Sequence, residues 1–143
     1  MHARVKWIDH MSFVGESGSG HSVVMDGSPE HGGRNLGIRP MEMLLVGLGG
    51  CTAFDVVLML QKSRQNILDV EVSLDATRSD EVPHVFTEIK AHFKLWGKGL
   101  SEKHVERAVK LSSDKYCSAT KMLEKTAKIS YSWEIVNSTE GPA

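Results

Sequence analysis

Two cysteines, Cys51 and Cys117, are the residues of this chain best placed to do chemistry. Cys51 lies in the apolar stretch PMEMLLVGLGGCTAFD from Pro40 to Asp55, and Cys117 lies in the short run KYCS. In a reducing compartment a lasting structural disulfide is not expected. A pair of thiols that matters there is catalytic, redox-sensing or metal-binding. Metal binding fails first, because neither cysteine has a second Cys or His at ligand spacing and the seven histidines are scattered. Nucleophilic chemistry needs the thiolate, whereas a protonated cysteine is equally a small core residue. Cys51 stands three turns into its helix, beyond the reach of the helix dipole, and Asp55 one turn on carries the wrong sign to favour an anion. A cation has to come from elsewhere. Arg34 and Arg39, on the glycine-rich stretch 26–39, are the nearest candidates in sequence, with Arg4 behind them, although each alone reads more readily as a surface charge. Cys117 falls at a break between two helical pieces, near the N-terminus of the second, where backbone N–H groups favour an anion. It is therefore expected to be the more accessible thiol. The 66 residues between the cysteines leave open whether the sulfurs meet, since bridging needs Cα atoms about 4.4–6.8 Å apart.

These thiols must be positioned by the elements around them. Pro40 suits the first position of a helix and Glu42 its first turn, and the apolar run predicts a helix to about Ser63. On it Gly47, Gly50 and Cys51 share a face, which allows either close packing by another backbone or a pocket beside the thiol. Upstream, short strand patterns around Val5 and Trp7 and at 22–25 flank the glycine- and serine-rich turn 15–20, which predicts a small antiparallel sheet. Downstream, Val70, Val72, Leu74 and Ala76 alternate with polar residues, as do Val85, Ile89, Ala91, Phe93 and Leu95 after Pro83, which predicts a long hairpin with one wet face. Val105, Ala108, Val109 and Ser112 then follow a helical stripe, a second helical piece covers 118–125, and Ile129, Tyr131, Trp133 and Ile135 form a last strand. The expected fold class is α+β, with antiparallel sheets packed on a long central apolar helix. One domain is expected over 1–136, followed by a disordered tail over 137–143. A helix apolar almost all round must be covered on more than one side, which predicts an obligate homodimer with this helix near the interface.

Composition removes several classes of function. The chain has 143 residues, 41% hydrophobic and 24% charged, and a net charge of -1 with no basic cluster, so nucleic acid is not an expected partner. Residues 43–60 touch the lower limit of a membrane-spanning length. Asp55 inside that run would cost about 2.5–3.5 kcal/mol in a bilayer, however, and three glycines interrupt it, so a buried helix and no membrane are expected. The start of the sequence enters a strand pattern with no apolar targeting segment, and a cytoplasmic protein is expected.

The run from Pro40 through Cys51 to Thr52, followed much later by KYCS at the end of an amphipathic helix, resembles the OsmC/Ohr family of osmotically inducible and organic hydroperoxide resistance proteins and, within it, the YhfA-type branch. The resemblance covers residues 3–136 in element order. It implies an intertwined α+β homodimer with two sites at the subunit interface and no metal or organic cofactor. It also implies a thiol-dependent peroxidase in which Cys51 attacks a small organic hydroperoxide, Cys117 resolves the sulfenic acid to a Cys51–Cys117 disulfide, and a dithiol reductant restores both thiols. The family's activating Arg sits on the N-terminal hairpin. Here the turn 15–20 carries Glu16 and no Arg, so Arg39 or Arg34 has to substitute. The family glutamate directly follows the helix proline, where this chain has Met41; Glu42 takes its role one residue later, half a turn out of phase with Cys51. The alternative is a non-enzymatic dimer that binds a small ligand or senses redox state, with structural cysteines.

Overall fold

The structure, a computed structural model, describes residues 1–138. Where the sequence predicts one domain over 1–136, the backbone contacts gather into two compact units, one of Met1–Val46 and one running on from Gly47. The last strand extends to Asn137, one residue into the segment expected as a tail, and 139–143 lie outside the described residues.

The first unit is built on an antiparallel sheet of β1 (Ala3–Asp9), β2 (Ser12–Ser17) and β3 (Ser22–Met25), in that spatial order. A tight turn with His10 at φ 47° joins β1 to β2, and the glycine- and serine-rich turn joins β2 to β3, as the sequence predicts. The stretch 26–39 folds back on this sheet: Ile38 pairs with Met25, and a 3-10 turn spans Pro29–His31. Gly33 lies so close to Gly27 that a Cβ would stand 2.0 Å from the Gly27 carbonyl oxygen, so this crossing of two backbones requires glycine.

Helix α1 (Pro40–Lys62) begins at the proline, and Glu42 Oε1 accepts the Arg39 N–H at 2.9 Å. This is the acidic half of a capping box, satisfying a donor the helix start would leave orphaned. By length and composition α1 would suffice to cross a membrane. Leu48, Val56 and Leu60 on it are fully buried within the fold, whereas Leu44, Val46, Phe54 and Leu58 are exposed, so the helix is covered on one side.

The second unit pairs β4 (Asn66–Arg78) with β5 (Phe86–Lys98) as the expected hairpin and adds β6 (Lys128–Asn137) on the far side of β5. One pairing departs from the antiparallel expectation, because β6 runs parallel to β5. After β5 the chain returns through α2 (Glu102–Leu111), a π turn (Ser112–Tyr116) and α3 (Ser118–Leu123). Such a helical crossover delivers the next strand in the same direction. Val56 and Leu60 of α1, Phe93 and Leu95 of β5, and Val105, Ala108 and Val109 of α2 share one core. The α2 stripe is the one its spacing predicts. Gly49 is where helix and sheet come closest, since a Cβ there would stand 2.7 Å from Leu74 Cδ1.

Candidate active site

The second unit brings Cys51 and Cys117 together. Both are free thiols, and they lie near enough for Cys51 to act on the ionisation of Cys117. Their exposure reverses the sequence expectation: Cys51 is half-buried, whereas Cys117 is fully buried. The reason lies in the turn before Cys117. Residues five apart on an α-helix point about 140° apart, but a turn closed by an i to i+5 bond brings them back towards one face. The Cys117 N–H donates to the Ser112 carbonyl at 2.8 Å, closing such a turn, and Ser112 and Cys117 are both 0% exposed.

Cys117 caps α3 as its position predicts, with the Thr120 N–H donating to its Sγ at 3.4 Å. Burial pushes the Cys117 thiol up from its ordinary pKa and the neighbouring Cys51 sulfur pushes in the same direction, while the bonds from Thr120 offset part of the rise. Tyr131 on β6 completes this pocket. Its hydroxyl bonds the Thr120 hydroxyl, and burial together with the two sulfurs pushes it up to about 12, against the favourable effect of Thr120 and Thr52. At neutral pH Cys117 and Tyr131 therefore keep their protons.

On the α1 side, Thr52 adjoins Cys51, and its Oγ1 lies 3.0 Å from Ser112 Oγ. The Ser112 hydroxyl donates to Asp55 Oδ2, also at 3.0 Å. Asp55 thus holds a serine hydroxyl, and no ion pair among the described residues links it to an arginine or lysine. The glycines beside the thiol divide by role: Gly50 faces open space and lines a cleft of about 550 Å³ with Phe54, Val57, Leu58, Ile67 and Val70, while Gly47 has nothing near it. Cys51 itself does not line this cleft, so both sequence readings for this face stand.

The other sequence candidates lie in the first unit. Arg34 pairs with Asp9, and Arg4 with Glu16 at 3.2 Å. The Arg39 guanidinium donates to the carbonyls of Gly37 at 3.1 Å and Asp26 at 3.4 Å, and among the described residues no carboxylate neutralises it. Glu42 meets the backbone of Arg39 and not its guanidinium. Sequence reasoning missed Thr52, Thr120 and Tyr131, and took Ser112 only as part of an apolar stripe. A serine on the buried stripe of an otherwise apolar helix face was the available signal. It also missed Asp26, which is 1% exposed and accepts from the Ser12 hydroxyl at 2.8 Å and from the backbone N–H groups of Gly27, Leu36 and Arg34. Burial acts to raise its pKa, but these four bonds outweigh it and hold Asp26 below the ordinary carboxylate value.

Comparison with known proteins agrees with this fold. Residues 32–132 match the family model of the OsmC-like proteins. Protein YhfA of Escherichia coli K12 is 48% identical over 136 residues, covering 95% of this chain and 98% of that protein. The crystal structure of an OsmC-like protein from Mycoplasma pneumoniae superposes with a TM-score of 0.80 at 21% identity, over 94% of this chain and 96% of that one. An organic hydroperoxide resistance protein OsmC from Legionella pneumophila shares the fold at a TM-score of 0.69 and 13% identity, over 93% and 95% of the two chains. With the family model covering most of the sequence and a relative sharing nearly half its residues end to end, the chain belongs to the OsmC family.

Proposed function

We propose that this chain is a thiol-dependent peroxidase for small organic hydroperoxides. The observation that carries the reading is the asymmetric thiol pair, a half-buried Cys51 near enough to a fully buried Cys117 to perturb its ionisation. Membership of a family that includes proteins named for organic hydroperoxide resistance supports the choice of substrate. Exposure assigns the order of events. Cys51 is the sulfur a peroxide can reach, and its thiolate attacks the O–O bond: an S–O bond forms, the O–O bond breaks, and the alkoxide leaves as the alcohol after taking a proton. The Cys117 sulfur then attacks the Cys51 sulfenic acid, forming the S–S bond and releasing water. A dithiol reductant supplies two electrons by exchange, attacking the reachable Cys51 sulfur so that Cys117 is the leaving group.

The reaction needs no metal or organic cofactor. A homodimer is part of the proposal: Phe54 on α1 is 71% exposed and Leu58 39%, and beside Gly50 they leave the apolar face that the sequence expects a second copy to cover. A cytoplasmic setting, with neither nucleic acid nor membrane as partner, fits thiols that must be recycled. Arg39 is proposed as the cation that activates Cys51 from a second copy of the chain, because about 18 Å of helix separates the two residues within one copy, with Glu42 holding the helix start that Arg39 adjoins. Of the three arginine candidates it is the one without a carboxylate partner among the described residues.

Cys51→Ser should abolish peroxide consumption, a loss of more than about a thousandfold, in a protein that still folds. Cys117→Ser should allow the first attack and then accumulate sulfinic acid on Cys51, read by mass spectrometry. The rival reading, a non-enzymatic dimer that binds an apolar ligand in the cleft beside Gly50, gains if Cys51 reacts with an alkyl hydroperoxide no faster than a free thiol does. Arg39→Ala should slow alkylation of Cys51 at neutral pH about tenfold and Arg34→Ala far less, an effect in the range a single nearby charge exerts on a thiol. Equal rates in both variants would remove Arg39 from the site.

A further inference from the structure

Cys51 and Cys117 are 66 residues apart in sequence and lie on separate elements, α1 and the turn into α3. How readily their sulfurs bond depends on how firmly those elements are held to each other. Ser112 touches both. Its carbonyl accepts the Cys117 N–H at 2.8 Å, and its hydroxyl bridges to Thr52 and Asp55, which flank Cys51 on α1. The direction of these bonds is fixed by chemistry. An ionised carboxylate only accepts, so the Ser112 proton is committed to Asp55, and Thr52 must donate its own proton to Ser112 Oγ. Thr52 and Ser112 are 0% exposed, so neither can replace a lost partner with bulk water.

We infer that Ser112 is the positioning residue that ties the turn bearing Cys117 to the helix bearing Cys51 and so sets how readily the two sulfurs bond. The π turn is part of the device, because it lets one residue face α1 while the residue five places on, Cys117, also faces inward. Loss of the hydroxyl removes the acceptor of the Thr52 proton and frees the turn from α1, which lowers the effective concentration of one thiol at the other. Ser112 touches neither the peroxide nor the reacting electrons in this scheme; it acts through the geometry of the pair.

The inference rests on the proposed redox role of the two cysteines, and its test is independent of peroxidase activity. The full-length protein is equilibrated in buffers of reduced and oxidised glutathione, and the fraction of Cys51–Cys117 disulfide is read by alkylation and mass spectrometry. Ser112→Ala should lower the equilibrium constant for disulfide formation about tenfold, a shift of about 30 mV for a two-electron couple. Thr52→Val, which keeps the shape and removes the donor, should move it in the same direction, and it serves if Ser112→Ala does not fold. Ser113→Ala, next in sequence and bonded only to Lys110 and Asp114 on the turn's own surface, should leave the potential where it is. Wild-type potential in folded Ser112→Ala or Thr52→Val overturns the inference while the thiol pair stands. Failure of the wild-type protein to form this disulfide in any buffer overturns both.

Discussion

Each unit of the molecule contains an aspartate that receives a serine hydroxyl, and the two are used to opposite effect. In the first unit Asp26 is saturated: one oxygen accepts from Ser12 and Leu36, the other from Gly27 and Arg34. Nearly every lone pair a carboxylate offers is taken, and three of the four donors are backbone groups of the stretch 27–36. Such a group fixes a loop and has no capacity left for a substrate. In the second unit Asp55 is half-buried and accepts the Ser112 hydroxyl, at the end of a hydroxyl chain that leads back to Thr52, the residue after Cys51 in sequence. The lesson is that a buried carboxylate does not by itself mark a site. What marks one is spare acceptor capacity beside a nucleophile.

The largest effect expected from this contrast is at Asp26. Asp26→Asn turns one acceptor oxygen into an NH2 group, which faces either the Gly27 and Arg34 N–H groups or the Leu36 N–H and the Ser12 hydroxyl, so at least one backbone N–H loses its acceptor. The charge that strengthens the remaining bonds is lost as well. The variant should show a clear drop in urea midpoint, with rapid proteolysis or amide exchange confined to 27–36. Unchanged protection of that stretch would show that Asp26 is not its anchor, and the contrast would break.

The two regions should also fail at opposite ends of the pH scale. Asp26 has a folded pKa below its unfolded value, so its stabilisation is complete above about pH 4 and is lost as pH falls through the lower folded value. Cys117 and Tyr131 have raised folded values, so their contribution is complete below their unfolded values, about 8.5 and about 10, and is lost as pH rises. For Tyr131 the window closes near pH 12. Amide exchange should therefore report loosening of 27–36 at acid pH with the cysteine pocket intact. The phenolate absorbance missing from Tyr131→Phe should titrate only in strong alkali. A Tyr131 that ionises near pH 10 would mean that the pocket is open to water.

What the sequence revealed follows the same division. Element order, helix start and the two thiols were legible because periodicity, Pro40 and residue type are local signals. The direction of β6 was not, since Ile129, Tyr131, Trp133 and Ile135 alternate identically whichever way the strand runs. The accessibility of Cys117 was misjudged because a break between helical pieces was read as an exposed position, whereas the π turn over 112–116 carries the residue inward. Ser112 and Asp26 were invisible as functional positions because their partners lie 57 and 14 residues away, and no short-range pattern encodes such pairings.

The smallest effect sharpens the comparison most. In Asp55→Asn the side-chain carbonyl oxygen can still accept the Ser112 proton, so the chain from Thr52 keeps its direction and loses only the charge at its end. A single hydrogen bond weakened but not deleted, at a half-buried position, corresponds to about 0.5–1.5 kcal/mol of stability. The urea midpoint of Asp55→Asn should therefore fall less than that of Asp26→Asn, although both substitutions remove one charge and add one NH2 group. An equal or larger loss at Asp55 would mean that its unbonded oxygen is also engaged in holding the fold, and the distinction between a saturated anchor and an acceptor with capacity to spare would collapse.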